Sequence, residues 1–188
     1  MVDRIIQEVM DAVVAAIKGA DDTITALRTT VKNQATGVLR DAGSIGIAAT
    51  DAVAGVAAGA VKGASGIVTS STDAVKNTVH AAIEGASETG VDVLTAVRNV
   101  ARGAVSGAVA VGGDLALTSV AAVEGAIEVA GKVGVDASKA VGSAVTGVLQ
   151  AADTIGSDAG AIARKALLNA ATLPRDVIEK AIEGSAKK

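Results

Sequence analysis

The chain has 188 residues, half of them apolar, and a formal net charge of −3 at pH 7. It contains no Phe, Tyr, Trp or Cys, which excludes disulfides, thiolate metal sites and a core built on aromatic side chains. The small net charge, with both signs interspersed, argues against a nucleic-acid partner. Any core therefore has to pack small aliphatic side chains at close range.

The N-terminal segment, MVDRIIQEVMDAV, has acidic residues scattered through it and lacks the continuous apolar stretch of a secretory signal. The longest uncharged runs, such as AVGSAVTGVLQAA at 140–152, fall short of the roughly 20 apolar residues that a membrane-spanning helix needs. We therefore expect neither a signal peptide nor a transmembrane segment and, by default, a cytoplasmic protein.

From residue 31 to residue 162 the chain aligns with itself in rows of 22 residues without a gap. Each row divides into two elevens, and four columns of the eleven carry no charge between Val9 and Ala170. Eleven residues make three helical turns at about 3.67 residues per turn, whereas a strand has period two. The sequence therefore predicts an all-α fold of 22-residue (2 × 11) helical repeats.

Glycines recur in columns beside the apolar side of each predicted helix, and the resulting G-x-x-x-G pairs let a second backbone approach closely. Each interior glycine costs a helix about 1 kcal/mol relative to alanine, so packing has to offset that cost. We therefore predict helices packed through small Gly, Ala and Val faces. The predicted helix-packing glycines are Gly37, Gly59, Gly63, Gly103, Gly107, Gly125 and Gly147.

Two architectures fit this pattern: one long hendecad helix, or short helices of about 19 residues folded into an antiparallel array. A recurring Gly-x-Asp sequence favours the array, because Gly suits the end of a helix and Asp suits the N-cap of the next. The undisturbed eleven-residue phase favours the long helix. The candidate turns are Gly90 with Asp92, Gly112 with Asp114, Gly134 with Asp136, and Gly156 with Asp158.

The only proline, Pro174, suits the start of a helix. A short segment, DVIEKAIEGSAKK, follows it and is predicted to cap the repeats with a more polar surface. The chain is thus divided into a helical repeat region at 1–172 and a C-terminal capping helix at 173–188.

No motif in the chain predicts catalysis. The single histidine, His80, falls on the predicted polar face with no second His, Cys or carboxylate cluster beside it, so we expect a solvated side chain. The glycine-rich segment 54–66 lacks the G-x-x-x-x-G-K-[ST] phosphate loop. The four aspartates of the candidate turns would bind a cation only if stacked helices brought them together. We expect a non-enzyme with no cofactor and no metal ion.

The period resembles that of the eleven- and 22-residue helical repeat proteins: synucleins, exchangeable apolipoproteins, lipid-droplet perilipins and late-embryogenesis-abundant proteins. The resemblance is one of period and covers nearly the whole chain. The synuclein core KTKEGV is absent, and no site residue is carried over from these families.

Two functions follow from the wide apolar faces. The first is a structural protein that associates with itself through helix packing into a filament, sheet or tube. The alternative is an amphipathic coat on a lipid or storage-granule surface, with the apolar arc on the hydrocarbon. The mean hydropathy of +0.49 argues against a third interpretation, a disordered desiccation protectant.

Overall fold

The computed structural model describes residues 2–42, 46–65, 67 and 70–185. Within these residues the chain forms α-helices and no strand, which confirms the predicted all-α class. The helices are α1 (Val2–Lys18), α2 (Thr23–Asp41), α3 (Gly46–Ala64), α4 (Ser71–Ser87), α5 (Val93–Ala110), α6 (Leu115–Ala130), α7 (Ala137–Ile155), α8 (Ser157–Asn169) and α9 (Arg175–Ser185).

The helices are arranged in two layers. Each helix packs against its neighbours in sequence and also against the helices two places before and after it. The odd-numbered helices therefore form one layer, the odd layer, and the even-numbered helices form the other, the even layer. Successive helices run in opposite directions, so neighbours within a layer are parallel. The chain adopts the antiparallel array, and the continuous helix is not formed.

The core lies between the two layers and consists mainly of alanine and valine. Val13, Val56 and Ala104 are completely buried there. Among the largest fully buried side chains are Ile83 and Leu149, and the sequence contains no aromatic residue type larger than these. Side chains of this size bring the helices close together, because the distance between packed helices depends on the residues at the contact.

Three of the turns between helices have a glycine in the left-handed region. The φ angles are +78° at Gly90, +81° at Gly112 and +72° at Gly134. A residue with a Cβ atom is strained there, whereas glycine is not. In each turn the aspartate two residues later caps the next helix. The carboxylate oxygens accept the backbone N–H of Thr95 at Asp92 (2.7 Å), of Leu117 at Asp114 (2.8 Å) and of Lys139 at Asp136 (3.1 Å).

The fourth candidate turn differs from the other three. Helix α8 begins at Ser157, directly after Gly156, and no side chain caps its first turn. Gly156, with φ +155° and ψ +165°, is the single residue that joins α7 to α8. The N-cap role predicted for Asp158 is therefore wrong, because so short a turn places Asp158 inside the first turn of α8.

The sequence pattern did not identify the three turns in the first part of the chain. Asp22 caps α2, accepting the N–H groups of Ile24 and Thr25. Ser70 caps α4 and accepts the N–H of Asp73. Residues 43–45, between α2 and α3, lie outside the described residues.

The C-terminal segment extends the array. Pro174 directly precedes α9, and its carbonyl oxygen accepts the N–H groups of Val177 and Ile178. Ile178 is fully buried, and α9 packs against α7 in the odd layer and against α8. Residues 186–188 of the predicted capping segment lie outside the described residues.

The turn between α6 and α7 provides a matched test of the glycine conformation. Gly134 has φ +72°, whereas Gly131 in the same turn has φ −63°, and a Cβ at either position meets nothing within 4 Å. Gly134→Ala should therefore lower the free energy of unfolding by about 1 kcal/mol through backbone strain alone. Gly131→Ala should not lower it. Urea denaturation measures both, and equal effects at the two positions would contradict the assigned turn.

Candidate functional site: the helix contacts and outer faces of the array

Glycines lie where helices of the odd layer come closest. A Cβ atom at Gly103 of α5 would be 2.8 Å from the Cα of Ala54 in α3, and one at Gly107 would be 2.6 Å from the carbonyl oxygen of Ala58. No side chain fits at such a distance from a neighbouring backbone. The other glycines of this layer whose Cβ position falls against the backbone of the preceding odd helix are Gly59, Gly63 and Gly147.

The even layer contains the same kind of contact. A Cβ at Gly125 of α6 would be 2.6 Å from the carbonyl oxygen of Lys76, and one at Gly85 of α4 would be 2.5 Å from that of Lys32. Gly85 was missed by the sequence reasoning. It stands 22 residues before Gly107, in the same column of the predicted eleven-residue pattern, and that column could have identified it.

Gly37 does not make the contact predicted for it. It is exposed, and a Cβ there would meet nothing within 4 Å. The physical reason is its place in the fold, since α2 is the first even helix among the described residues and none of the described helices lies against Gly37.

The outer face of the odd layer has a shallow furrow of about 260 Å³, here called the odd-face furrow. It crosses α1, α3, α5 and α7 and is lined mostly by small side chains. Its one ion pair joins Arg102 Nη2 to Asp51 Oδ1 at 2.8 Å. The lining residues are Val2, Ile6, Asp51, Ala54, Gly55, Ala58, Arg102, Gly103, Ser106, Ala151 and Thr154.

The outer face of the even layer is charged. Between α2 and α4, Lys32 Nζ lies 3.1 Å from Glu84 Oε1 and 2.7 Å from Glu88 Oε1. The hydrogen bond from Lys32 lowers the pKa of Glu84 below its ordinary value. These groups are about one-third exposed or more, so solvent screens the attraction between them.

One of these pairs recurs 44 residues later, between α4 and α6, where Lys76 and Glu128 stand in place of Lys32 and Glu84. Lys76 Nζ lies 2.6 Å from Glu128 Oε1 and 3.7 Å from Glu124 Oε2. The hydrogen bond to Glu128 raises the pKa of Lys76. Pairs of opposite charge thus join successive helices of the even layer along its outer face.

His80 lies among these pairs but is buried, with 3% of its surface exposed. The prediction of a solvated side chain is wrong, because α4 has neighbours in its own layer as well as in the odd layer. The Nε2 atom of His80 lies 3.4 Å from Lys132 Nζ. The Nδ1 atom is buried without a hydrogen-bond partner, 3.8 Å from Glu84 Oε2.

Burial lowers the pKa of His80 below its ordinary 6.5, and the positive charges of Arg28 and Lys132 lower it further. Just below pH 6.5 the His80 side chain of the unfolded chain takes up a proton, whereas that of the folded protein stays neutral. The contribution of His80 to the free energy of unfolding is therefore fully present above about pH 6.5 and is lost as the pH falls below that value.

Lowering the pH from 7.5 to 5.5 should consequently lower the free energy of unfolding through His80. His80→Gln removes the titrating group and should reduce that loss. Urea denaturation of both proteins at the two pH values measures the difference, and the same pH dependence in both would contradict the assignment.

The carboxylates of the turns are used within the fold. Hydrogen bonding to Thr95 lowers the pKa of Asp92, which caps α5. Within the ranges that the structure describes, no group of three or more His, Cys, Asp or Glu side chains could hold a metal ion. None of the described helices is long and apolar enough to cross a membrane.

Comparison with known proteins gives no match: no protein-family model fits the chain, and no curated protein sequence or solved structure is detectably similar to it.

Proposed function

We propose that the repeating unit of this protein is a pair of antiparallel helices, 44 residues long, and that glycine columns set the spacing of successive units. The N-caps at Ser70, Asp92 and Asp114, each 22 residues after the one before, support this unit. The close contacts of Gly103 with Ala54 and of Gly147 with Arg98 support the spacing, since each joins residues 49 positions apart.

The function we infer for this array is structural and non-catalytic: the protein associates with copies of itself through the outer face of the odd layer. The main support for this proposal is that small side chains line most of the odd-face furrow. Its small side chains let a second helical surface approach closely, as the glycines do within the layer. Its single ion pair is satisfied within the chain, so an apposed copy would bury few unpaired charges.

The first and last described helices each carry an exposed ion pair, which favours association through the faces of the layers over the burial of these helices against further units. In α1, Arg4 pairs with Glu8 at 3.0 Å, and both side chains are largely exposed. In α9, Arg175 pairs with Glu179 at 2.9 Å. Polar end helices of this kind limit the addition of further units at the ends of a repeat array.

A lipid or granule coat is the weaker candidate. The apolar columns that would lie on hydrocarbon are already buried inside the array, as at Val13 and Val31. A coat would need the layers to separate and lose that contact before the apolar arc could face a lipid surface.

Sedimentation velocity at rising protein concentration without lipid, followed by electron microscopy, tests the proposal. We expect species larger than the 18.1 kDa chain. Ser106→Glu with Thr154→Glu places two charges on exposed furrow positions and should remove the largest species. Thr29→Glu with Asn33→Glu adds the same charge on exposed positions of α2 and should not. A wild-type protein that stays at 18.1 kDa at every concentration would refute the proposal.

A further inference from the structure

The imidazole ring of His80 has different neighbours at its two nitrogen atoms. It is the single histidine of the chain, and it lies on α4, which packs against α2 and α6 in the even layer. The Nε2 atom faces the ammonium group of Lys132 at 3.4 Å. The Nδ1 atom is buried without a hydrogen-bond partner and faces Glu84 Oε2 at 3.8 Å. One nitrogen thus faces a cation and the other a carboxylate.

These neighbours determine which nitrogen carries the proton when the ring is neutral. A lysine ammonium group has three donors and no acceptor, so a ring nitrogen that contacts it has to accept a hydrogen bond. The neutral ring of His80 therefore carries its proton on Nδ1 and keeps the lone pair of Nε2 directed at Lys132. A second proton can enter only at Nε2, where it would place two cationic donors against each other.

Further charged side chains act on the ring from α2, α4 and α6. Arg28 of α2 adds a second positive charge to that of Lys132. Glu84 of α4 and Glu128 of α6 contribute negative charge. Both carboxylates are paired elsewhere, since Glu84 Oε1 lies 3.1 Å from the Nζ atom of a lysine in α2 and Glu128 Oε1 lies 2.6 Å from that of a lysine in α4. They therefore compensate a positive charge on His80 less than unpaired carboxylates would.

The odd-layer helices that pack against α4 carry their charges on the opposite side of the array. The charged residues of α3 and α5 are Asp51, Lys62, Arg98 and Arg102. Asp51 and Arg102 pair with each other in the odd-face furrow. Lys62 and Arg98 each stand four positions from a furrow residue of the same helix, and therefore on the same helix face. The protonation of His80 is thus controlled from within the even layer.

Lys132 belongs to a turn that has open space around it. This α6–α7 turn comprises residues 131–136. A groove of about 420 Å³ separates it from the turn between α4 and α5, with Val91 on one side and Val135 on the other. A Cβ atom at Gly131 would meet nothing within 4 Å. The contact between Lys132 and His80 therefore joins α4 to a turn that has room to move.

We propose that His80 and Lys132 form a pH-operated latch between α4 and the α6–α7 turn, closed by the hydrogen bond from Lys132 Nζ to His80 Nε2. When acid adds a proton to Nε2, the two cations repel each other. Lys132 is at an exposed position, so its ammonium group turns into solvent and the turn loses this contact with α4. The lowered pKa of His80 agrees with the latch, since burial of the ring and the cation at Nε2 both disfavour the charged form.

The latch operates within one copy of the chain. It lies on the even layer, whereas the odd-face furrow lies on the odd layer, so the latch goes beyond the proposed function and does not depend on it.

NMR spectra of the imidazole nitrogens test the closed latch. Long-range ¹H–¹⁵N correlations distinguish the two neutral tautomers, and a single histidine makes the assignment unambiguous. At about pH 7.5 we expect His80 to be protonated on Nδ1, and titration should give a pKa below the ordinary 6.5. A ring protonated on Nε2 at that pH would overturn the latch, because Nε2 could not then accept a hydrogen bond from Lys132.

Two lysine variants separate the latch from the general effect of charge. Lys132→Met removes the cation and its hydrogen bond, so the pKa of His80 should rise and the tautomer protonated on Nε2 should appear. Lys139→Met removes an exposed lysine of α7 beside the same turn and should change neither property. Equal effects of the two substitutions, or no effect of Lys132→Met, would overturn the latch.

Hydrogen exchange of backbone amides tests the opening. The N–H groups of Val133 and Val135 donate to carbonyl oxygens of α6, and in the α5–α6 turn those of Gly112 and Gly113 donate to carbonyl oxygens of α5. Between about pH 7.5 and pH 5.5, after correction for intrinsic exchange rates, the α6–α7 turn should lose more protection than the α5–α6 turn. In Lys132→Met the α6–α7 turn should be weakly protected at both pH values. Protection that does not change with pH in the wild type, or that falls equally in both turns, would overturn the latch.

Discussion

Replacing Gly103 and Gly107 by alanine should destabilise the protein by about 1–3 kcal/mol at each site. The added methyl groups would clash with the backbone of α3 at Ala54 and Ala58. Backbone atoms cannot relieve a clash by changing rotamer, as a flexible side chain can. Alanine also favours a helix over glycine by about 1 kcal/mol, so the measured loss is the net of both effects. Urea denaturation gives the free energy of unfolding.

Gly142 in α7 provides the control. It lies inside a helix of the same layer, but a Cβ there meets nothing within 4 Å. Gly142→Ala should therefore stabilise the protein by about 1 kcal/mol. If alanine raised stability at all three positions, the close backbone contacts of the odd layer would be wrong.

Leu149→Ala should cost about 2–5 kcal/mol, because the array has few side chains larger than valine in its core. Leu149 is 1% exposed, in the middle of α7. Ile155 at the end of the same helix is 49% exposed, and Ile155→Ala should cost less than about 1 kcal/mol. Thermal or urea unfolding of the two variants measures the difference, and equal losses would contradict the assigned core.

The sequence predicts the all-α class and favours turns after α4, α5 and α6 because both depend on local chemistry. A Gly-x-Asp at 90–92, 112–114 or 134–136 ends one helix and caps the next whatever lies around it. The turns before α2 and α4 were not predicted, because Asp22 and Ser70 cap these helices without a glycine two residues earlier.

The two-layer arrangement was harder to predict, since a column pattern describes one helix and not its neighbours. His80 stands in a polar column, yet the helices packed around α4 bury it. Gly37 stands in a predicted packing column, yet none of the described helices lies against it. Whether a column faces a neighbour or solvent depends on the position of its helix in the array.

The contacts between helices of one layer could not be found from the sequence for a related reason. They depend on knowing that residues 49 positions apart lie side by side in a layer, as Ala54 and Gly103 do. That register follows from the tertiary fold.

A spin-label distance between positions 106 and 150, occupied by Ser106 and Gln150, tests the two-layer array of helices most directly. The two residues are exposed, lie 44 positions apart and belong to α5 and α7, which are parallel neighbours in the odd layer. Labels at introduced cysteines, diluted with unlabelled protein, report the separation by double electron–electron resonance. The array predicts a separation set by helix axes about 8–10 Å apart plus the two label arms. A separation near 66 Å, the length of about 44 residues of unbroken helix, would contradict it.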